Sequence, residues 1–131
     1  MTKIWTPRNR KGLLGFFVSD PDLKILKKRA AFVRTSFGKR HGTKGLHLQA
    51  RHREDGTAHI GVGFTCSKKV GNAVARNRAK RRLREIARLG LSDIAKPGWD
   101  YVLVGRAGVT ATRPFDALQS DLARAIRAIH E

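Results

Sequence analysis

Residues 68–88 read KKVGNAVARNRAKRRLREIAR, which places nine Lys or Arg residues and one acid, Glu85, in twenty-one positions. Gly71-Asn72 prepares a helix start, and the periodicity predicts a helix from Ala73 to about Leu89, ending near Gly90. On a helical wheel Ala75, Ala79, Leu83, Ile86 and Ala87 share one side. Arg76, Lys80, Arg84 and Arg88 recur beside them at i, i+4, i+8 and i+12, with Asn77 and Arg81 next to that ridge. Like charges four residues apart each destabilise a helix by about 0.2–0.5 kcal/mol, and no acid falls within the ridge. A helix over 73–89 is about 25 Å long, enough to follow several phosphates of a nucleic acid. A merely solvated face mixes its signs. A membrane-surface helix would set large apolar groups opposite the charge, whereas this one offers mostly alanine, which suits packing on a sheet. Arg78 and Arg82 fall on a third side, open to pairing with Glu85 or with the sheet.

Working outward, LHLQARHR (46–53) alternates apolar with polar, the pattern of a half-buried strand. Glu54-Asp55-Gly56 is a turn signal, so AHIGVGFTCS (58–67) is expected to return antiparallel as a hairpin. Upstream, Pro21 opens a predicted helix over roughly 22–36, with Leu23, Ile25, Leu26, Ala30, Phe32 and Val33 apolar and Lys24, Lys27, Lys28, Arg29 and Arg34 around them. Gly38, Gly42 and Gly45 end it. Downstream, WDYVLVG (99–105) is a nearly continuous apolar run, the look of a strand covered on both faces. Pro114 suits the start of a last helix, in which Phe115, Leu118, Leu122, Ala125, Ile126 and Ile129 repeat at helical spacing. The expected order is α-β-β-β-α-β-α: one α+β domain over 21–131, a sheet of about four strands packed with helices. Residues 1–20, with Lys3, Arg8, Arg10 and Lys11 among glycine and proline, read as a basic, mobile or peripheral arm.

The whole chain shares the imbalance of its central helix. It has 28 Lys and Arg against 10 acids over 131 residues, a net charge of +18, with 40% hydrophobic residues. Such a protein can bury a core, repels itself and attracts polyanions. The single cysteine, Cys66, excludes an internal disulfide framework and suits a reducing cytoplasm; strand alternation gives it the place of a small buried residue. No apolar run reaches the length of a membrane span or a signal-peptide core, so the expected location is cytoplasmic. Protein-based catalysis finds no support. His41, His47, His52, His59 and His130 lack zinc spacing and a second cysteine. Gly61-Val62-Gly63 lacks the Lys-Ser/Thr ending of a phosphate loop. The acids are scattered, with only Glu54-Asp55 and Asp20/Asp22 close together, whereas a magnesium nuclease needs converging carboxylates.

From Ser67 to Arg84 the chain follows SKK-x-G-x-A-V-x-R-N-R-x-K-R-x-x-R without a gap. This resembles the signature of the bacterial ribonuclease P protein subunit. A looser similarity spans about 22–130: a basic first helix with Phe32, the two strands, the signature helix, the WDYVLVGR-like strand and a final amphipathic helix. The first twenty residues are not covered. Rival readings are a ribosomal RNA-binding protein of like fold and charge and, more weakly, a double-stranded DNA binder, which would want a dimer seam. The length of the signature separates them.

The resemblance implies an α+β fold like a ribosomal-protein domain, with a left-handed βαβ crossover through the signature helix. It implies a protein subunit that assists removal of the 5′ leader of precursor tRNA. The catalyst would be the ribonuclease P RNA, which holds the Mg2+ ions, and neither a membrane nor a further protein partner would be required. By position in the motif, Lys68, Lys69, Arg76, Asn77, Arg78, Lys80, Arg81, Arg84 and Arg88 inherit contact with the catalytic RNA. Arg and Lys suit phosphate oxygens; Asn77 suits either a base edge or capping of the neighbouring loop. A second family surface, a cleft between the first helix and the sheet, takes the single-stranded leader on aromatic residues. Phe32 matches the first of these, with the core as its alternative. The second falls on Ser36, with Phe37 one step away, and the third falls near Gln49. The family's metal-binding loop is assigned to no residue here.

Overall fold

A computed structural model describes residues 23–131; the basic arm read over residues 1–20 lies outside them. The elements are β1 (Leu23–Ile25), α1 (Arg29–Ser36), β2 (Lys39–Gly42), β3 (Leu46–His52), β4 (Ile60–Thr65), α2 (Ala73–Ile94), β5 (Trp99–Gly105) and α3 (Phe115–His130), with a 3-10 turn at Lys68–Val70. They form one mixed sheet in the order β1-β4-β5-β3-β2. β4 runs parallel to β5 and β1 parallel to β4. β3 is antiparallel to β5 on its other side, and β2 closes that edge antiparallel to β3.

The α+β class and the order from α1 onward are as the sequence predicts. Three details differ. The expected hairpin of 46–53 with 58–67 does not form, because β5 lies between β3 and β4. Tyr101, Val102 and Leu103 are all within 1% of full burial, so β5 removes most apolar surface as the central strand, with a neighbour on each side. The Glu54–Gly56 turn carries the chain across β5 instead, with positive φ at Glu54 and Gly56. Arg53 pins this crossing. Its guanidinium donates to Asp100 Oδ1 at 2.8 Å, to the Trp99 carbonyl at 3.1 Å and to the His59 carbonyl at 2.5 Å.

Secondly, the helix read over 22–36 begins only at Arg29, because Leu23–Ile25 pairs with Ile60–Val62 and makes a fifth strand. A free β4 edge is a stronger demand on three residues than helical periodicity. Thirdly, α2 runs past Gly90 to Ile94. Leu91 is fully buried and anchors the additional turn, which ends where the Ala95 N–H donates to the Leu91 carbonyl.

The sheet's two faces differ. Leu46, Leu48, Ala50, Ile60, Val62, Tyr101 and Leu103 pack with Leu83, Ile86 and Leu91 of α2 and Leu118, Leu122 and Ile126 of α3, making one core. The opposite face carries Gln49, Arg51, Val102, Gly61 and Gly63, and α1 crosses it. Asp121 is buried at the start of this core and is held by Arg113 at 2.5 Å and Arg124 at 3.4 Å.

Candidate nucleic-acid interface

The signature segment forms the loop and helix that follow β4. Ser67 Oγ accepts from the Lys69 N–H at 3.3 Å, capping the 3-10 turn, and Asn72 Oδ1 accepts from the Ala75 N–H at 2.9 Å, capping α2. With Ala79, Leu83, Ile86 and Ala87 buried, the opposite side of the helix carries Asn77, Arg78, Arg81, Arg84 and Arg88, all exposed. Lys68 and Lys69 are exposed beside its N-terminus. Among the described residues, none of Lys68, Lys69, Arg78, Lys80, Arg81 and Arg84 has a carboxylate within salt-bridge distance. This is a surface of uncompensated positive charge, costly in isolation and suited to a row of phosphates.

The second candidate surface lies on the α1 side of the sheet. Phe32 is half-buried and its ring rests on Gly63: Cε1 and Cζ would stand 2.6 and 2.7 Å from a Cβ there. Only glycine admits the ring at that distance. Register sets Gly63, Val102, Gln49 and Arg40 in one cross-strand row, and Thr65, Val104, His47 and Gly42 in the next. Val102 is covered, whereas Thr65, Val104, His47 and Gln49 remain half-exposed. The result is an open strip with an aromatic edge on one side and cations on the other.

Comparison with known proteins decides what this arrangement belongs to. The ribonuclease P family profile matches residues 21–130. The chain is 59% identical over 109 residues to the ribonuclease P protein component of Ruegeria pomeroyi, covering 82% of this chain and 87% of that protein. The chain belongs to the ribonuclease P protein family. The corresponding protein of Gluconacetobacter diazotrophicus is 48% identical over 103 residues, covering 78% of this chain and 87% of that one. The fold matches the RNase P protein from Thermotoga maritima with a TM-score of 0.68 at 24% identity, covering 81% of this chain and 97% of that chain. The RNase P protein from Staphylococcus aureus matches with a TM-score of 0.62 at 26% identity, covering 79% and 86%.

Within this member of the family, the residues singled out from the sequence separate by their surroundings. Arg76 is half-buried and its guanidinium donates to the Gly71 carbonyl at 2.8 Å, so it braces the signature loop. Arg82 turns inward: it donates to the carbonyls of Thr110 and Arg113 and lies 5.9 Å from the Phe115 ring centre. Arg84 lies 5.7 Å from the centre of the Phe64 ring, which orients its guanidinium along the helix flank. Arg88 forms two bonds to Glu85, at 2.7 and 2.8 Å, and is therefore the least available cation of the ridge. Asn77 is exposed and forms no side-chain hydrogen bond among the described residues; Asn72, not Asn77, caps the helix.

On the sheet face, Phe32 and Gln49 are brought to the same strip, but Ser36 and Phe37 are not. The Ser36 hydroxyl donates back to the Val33 carbonyl at 2.6 Å, and Phe37 is 85% exposed beyond the end of α1. The sequence reading passed over His47, Arg40 and Arg106. Arg40, Arg106 and His41 stand around His47 at this end of the strip; burial first, and then their charges, hold its imidazole below its usual pKa. The alternation in LHLQARH, which sets His47, Gln49 and Arg51 on one face, was the available signal. Cys66 is half-buried against Gly105, and burial raises its thiol pKa.

No three His, Cys, Asp or Glu side chains gather among the described residues. The two carboxylates buried among the described residues, Asp100 and Asp121, are each taken by an arginine. No described helix is long and apolar enough to cross a membrane.

Proposed function

We propose that this protein binds the catalytic RNA of ribonuclease P through the outer face of α2 and the Ser67–Asn72 loop, and the 5′ leader of precursor tRNA through the strip beside α1. The observation that carries this is the exposed row Arg78, Arg81 and Arg84 with Lys68 and Lys69. Its positive charge has no carboxylate partner among the described residues, and it sits on the segment that bears the family's signature. Hydrolysis of the leader phosphodiester belongs to the RNA subunit, which would hold the Mg2+. The protein's contribution is positional: cations offset phosphate repulsion when two RNAs meet, and Phe32 offers a stacking surface to unpaired bases. No further protein partner is required, and the working compartment is the cytoplasm.

Reconstitution with a bacterial ribonuclease P RNA and precursor tRNA at low magnesium tests this. Cleavage at the mature 5′ end should become efficient when the protein is added. The protein without RNA should be inactive. Robust cleavage by RNA-free protein, or no effect of protein on the RNA's magnesium requirement, would overturn the proposal.

A further inference from the structure

The outer face of α2 is charged along most of its length, but its first turn is not. Val74 is 77% exposed there, and among the described large hydrophobic side chains only Phe37 is more so. Asn77, three residues on and therefore beside it on the helix surface, is also exposed and forms no side-chain hydrogen bond among the described residues. Exposed cations surround this uncharged pair: Lys68 and Lys69 before the helix, then Arg78 and Arg81 along it.

The fold gains nothing from Val74. It lies outside the core cluster, and a β-branched residue is a poorer helix former than alanine. Yet the turn that carries it is firmly held. Asn72 Oδ1 accepts from the Ala75 N–H at 2.9 Å, and the Asn72 carbonyl accepts from the Arg76 N–H at 2.9 Å. The Arg76 guanidinium donates to the Gly71 carbonyl at 2.8 Å. An apolar group presented so firmly among cations matches the part of a nucleic acid that is not phosphate.

The cations themselves do not fall in one line. At about 100° per residue, Arg78 and Arg84 stand about 120° apart around α2, with Arg81 midway between them. Val74, one heptad before Arg81, lies within about 20° of that midline. Arg84 is kept on its flank by the Phe64 ring, whose centre is 5.7 Å away. Neither Arg78 nor Arg84 has a carboxylate within salt-bridge distance among the described residues. Two guanidinium groups so far apart on one helix suit two phosphate strands, one on each side, with Val74 and Asn77 facing what lies between. The shallow groove of an A-form RNA helix has that layout: it is wide, and ribose 2′-hydroxyls and base edges line it between the two backbones. The deep groove is too narrow for side chains to read.

We propose that the N-terminal half of α2 lies in the shallow groove of a double-helical segment of the catalytic RNA, with Val74 packed on the ribose and base-edge surface as a specificity-determining contact. This rests on the catalytic-RNA reading of α2 above and adds to it the form of the RNA and a contact that charge does not supply. Asn77, which can both donate and accept, faces the 2′-hydroxyls.

The test titrates full-length protein with ribonuclease P RNA and with an unrelated structured RNA over a range of salt, using wild type, Val74→Ala and Val74→Lys. On a surface that needs only charge, Val74→Lys binds more tightly and steepens the slope of log K against log salt by about 0.7–0.9, while Val74→Ala changes nothing. In the groove, both variants should bind the ribonuclease P RNA more weakly, Val74→Ala by roughly ten-fold. The salt slope of Val74→Ala should stay that of the wild type, its affinity for the unrelated RNA should hardly move, and its Tm should be unchanged. Hydroxyl-radical footprinting of the wild-type complex should protect riboses on both strands of one helical segment. Tighter binding by Val74→Lys, or wild-type affinity in Val74→Ala, would overturn the Val74 contact, and protection confined to a single-stranded segment would overturn the groove. An unchanged salt slope in Arg81→Ala would instead remove α2 as the RNA face, and this proposal with it.

Discussion

The Phe32 ring rests directly on the backbone of Gly63, at a separation that no side chain on residue 63 would allow. Phe32 is half-buried and stands outside the main core cluster, on the other face of the sheet. We propose, because the ring lies outside that cluster, that it serves as a platform beside the strip. Phe32→Ala should therefore weaken binding of precursor tRNA roughly five-fold or more and leave mature tRNA nearly unaffected. Its stability cost should fall below the ~3–5 kcal/mol of a fully buried Phe→Ala change. Gly63→Ala should mimic the binding defect by displacing the ring. Comparing both RNAs beside the melting temperature separates the roles. Equal weakening for both RNAs with a large drop in Tm would return Phe32 to the core.

Much of this was legible beforehand, and the failures share a cause. The α2 stripe of Ala79, Leu83 and Ile86 and the alternation of Leu46, Leu48 and Ala50 are local patterns, and each predicts its own buried face. The apolar run at 99–105 also announced a strand covered on both faces. Which strands flank it is a non-local matter: a turn signal such as Glu54-Asp55-Gly56 states that the chain reverses, not that the reversed strands touch. β1 was missed because three residues hold no period of their own and become a strand only through pairing with Ile60–Val62. At the candidate interface the signature located the basic helix. The division of labour within it, with Arg82 facing inward and Arg88 tied to Glu85, depends on the loop at 110–113 and on rotamers that spacing does not encode.

A pH dependence follows from the end of the core. The Lys96 N–H donates to Tyr101 Oη at 2.9 Å, which leaves the phenol's own proton for His130 Nε2 at 2.7 Å. That bond needs an unprotonated Nε2. Burial, followed by the charges of Lys96 and Lys39, holds the His130 pKa below its usual value. The folded state therefore binds fewer protons at His130 than the unfolded state does as pH falls below about 6.5. Its stabilising contribution is present above that pH and is lost on acidification. Tm should fall between about pH 7 and 5, and less steeply in His130→Gln; identical slopes would sink this assignment. At the alkaline end, burial raises the Tyr101 pKa to about 12. Its contribution is thus present below about pH 10, the unfolded value, and fades as pH rises from there, which tyrosinate absorbance would follow.

The last prediction separates Arg81 from Arg82, neighbours in sequence about 100° apart around α2. Arg81 is exposed, with no carboxylate partner among the described residues. Arg82 ties α2 to the 110–113 loop through two backbone carbonyls and packs on Phe115. Arg81→Ala should leave the melting temperature in place and reduce the slope of log K against log salt for the catalytic RNA by about 0.7–0.9, one phosphate's worth. Arg82→Ala should do the reverse, leaving two carbonyls without their donor at a cost of about 1–3 kcal/mol and the salt slope nearly unchanged. Arg88→Ala is the intermediate case. Glu85 already opposes its charge at 2.7 Å, so removing it frees an acid near the RNA and should cost affinity mainly through that repulsion. Suppressing Glu85 at the same time, in Glu85→Gln/Arg88→Ala, should restore most of the loss. If instead Arg82→Ala lowers the salt slope as much as Arg81→Ala while the fold keeps its melting temperature, the RNA lies on the other flank of α2.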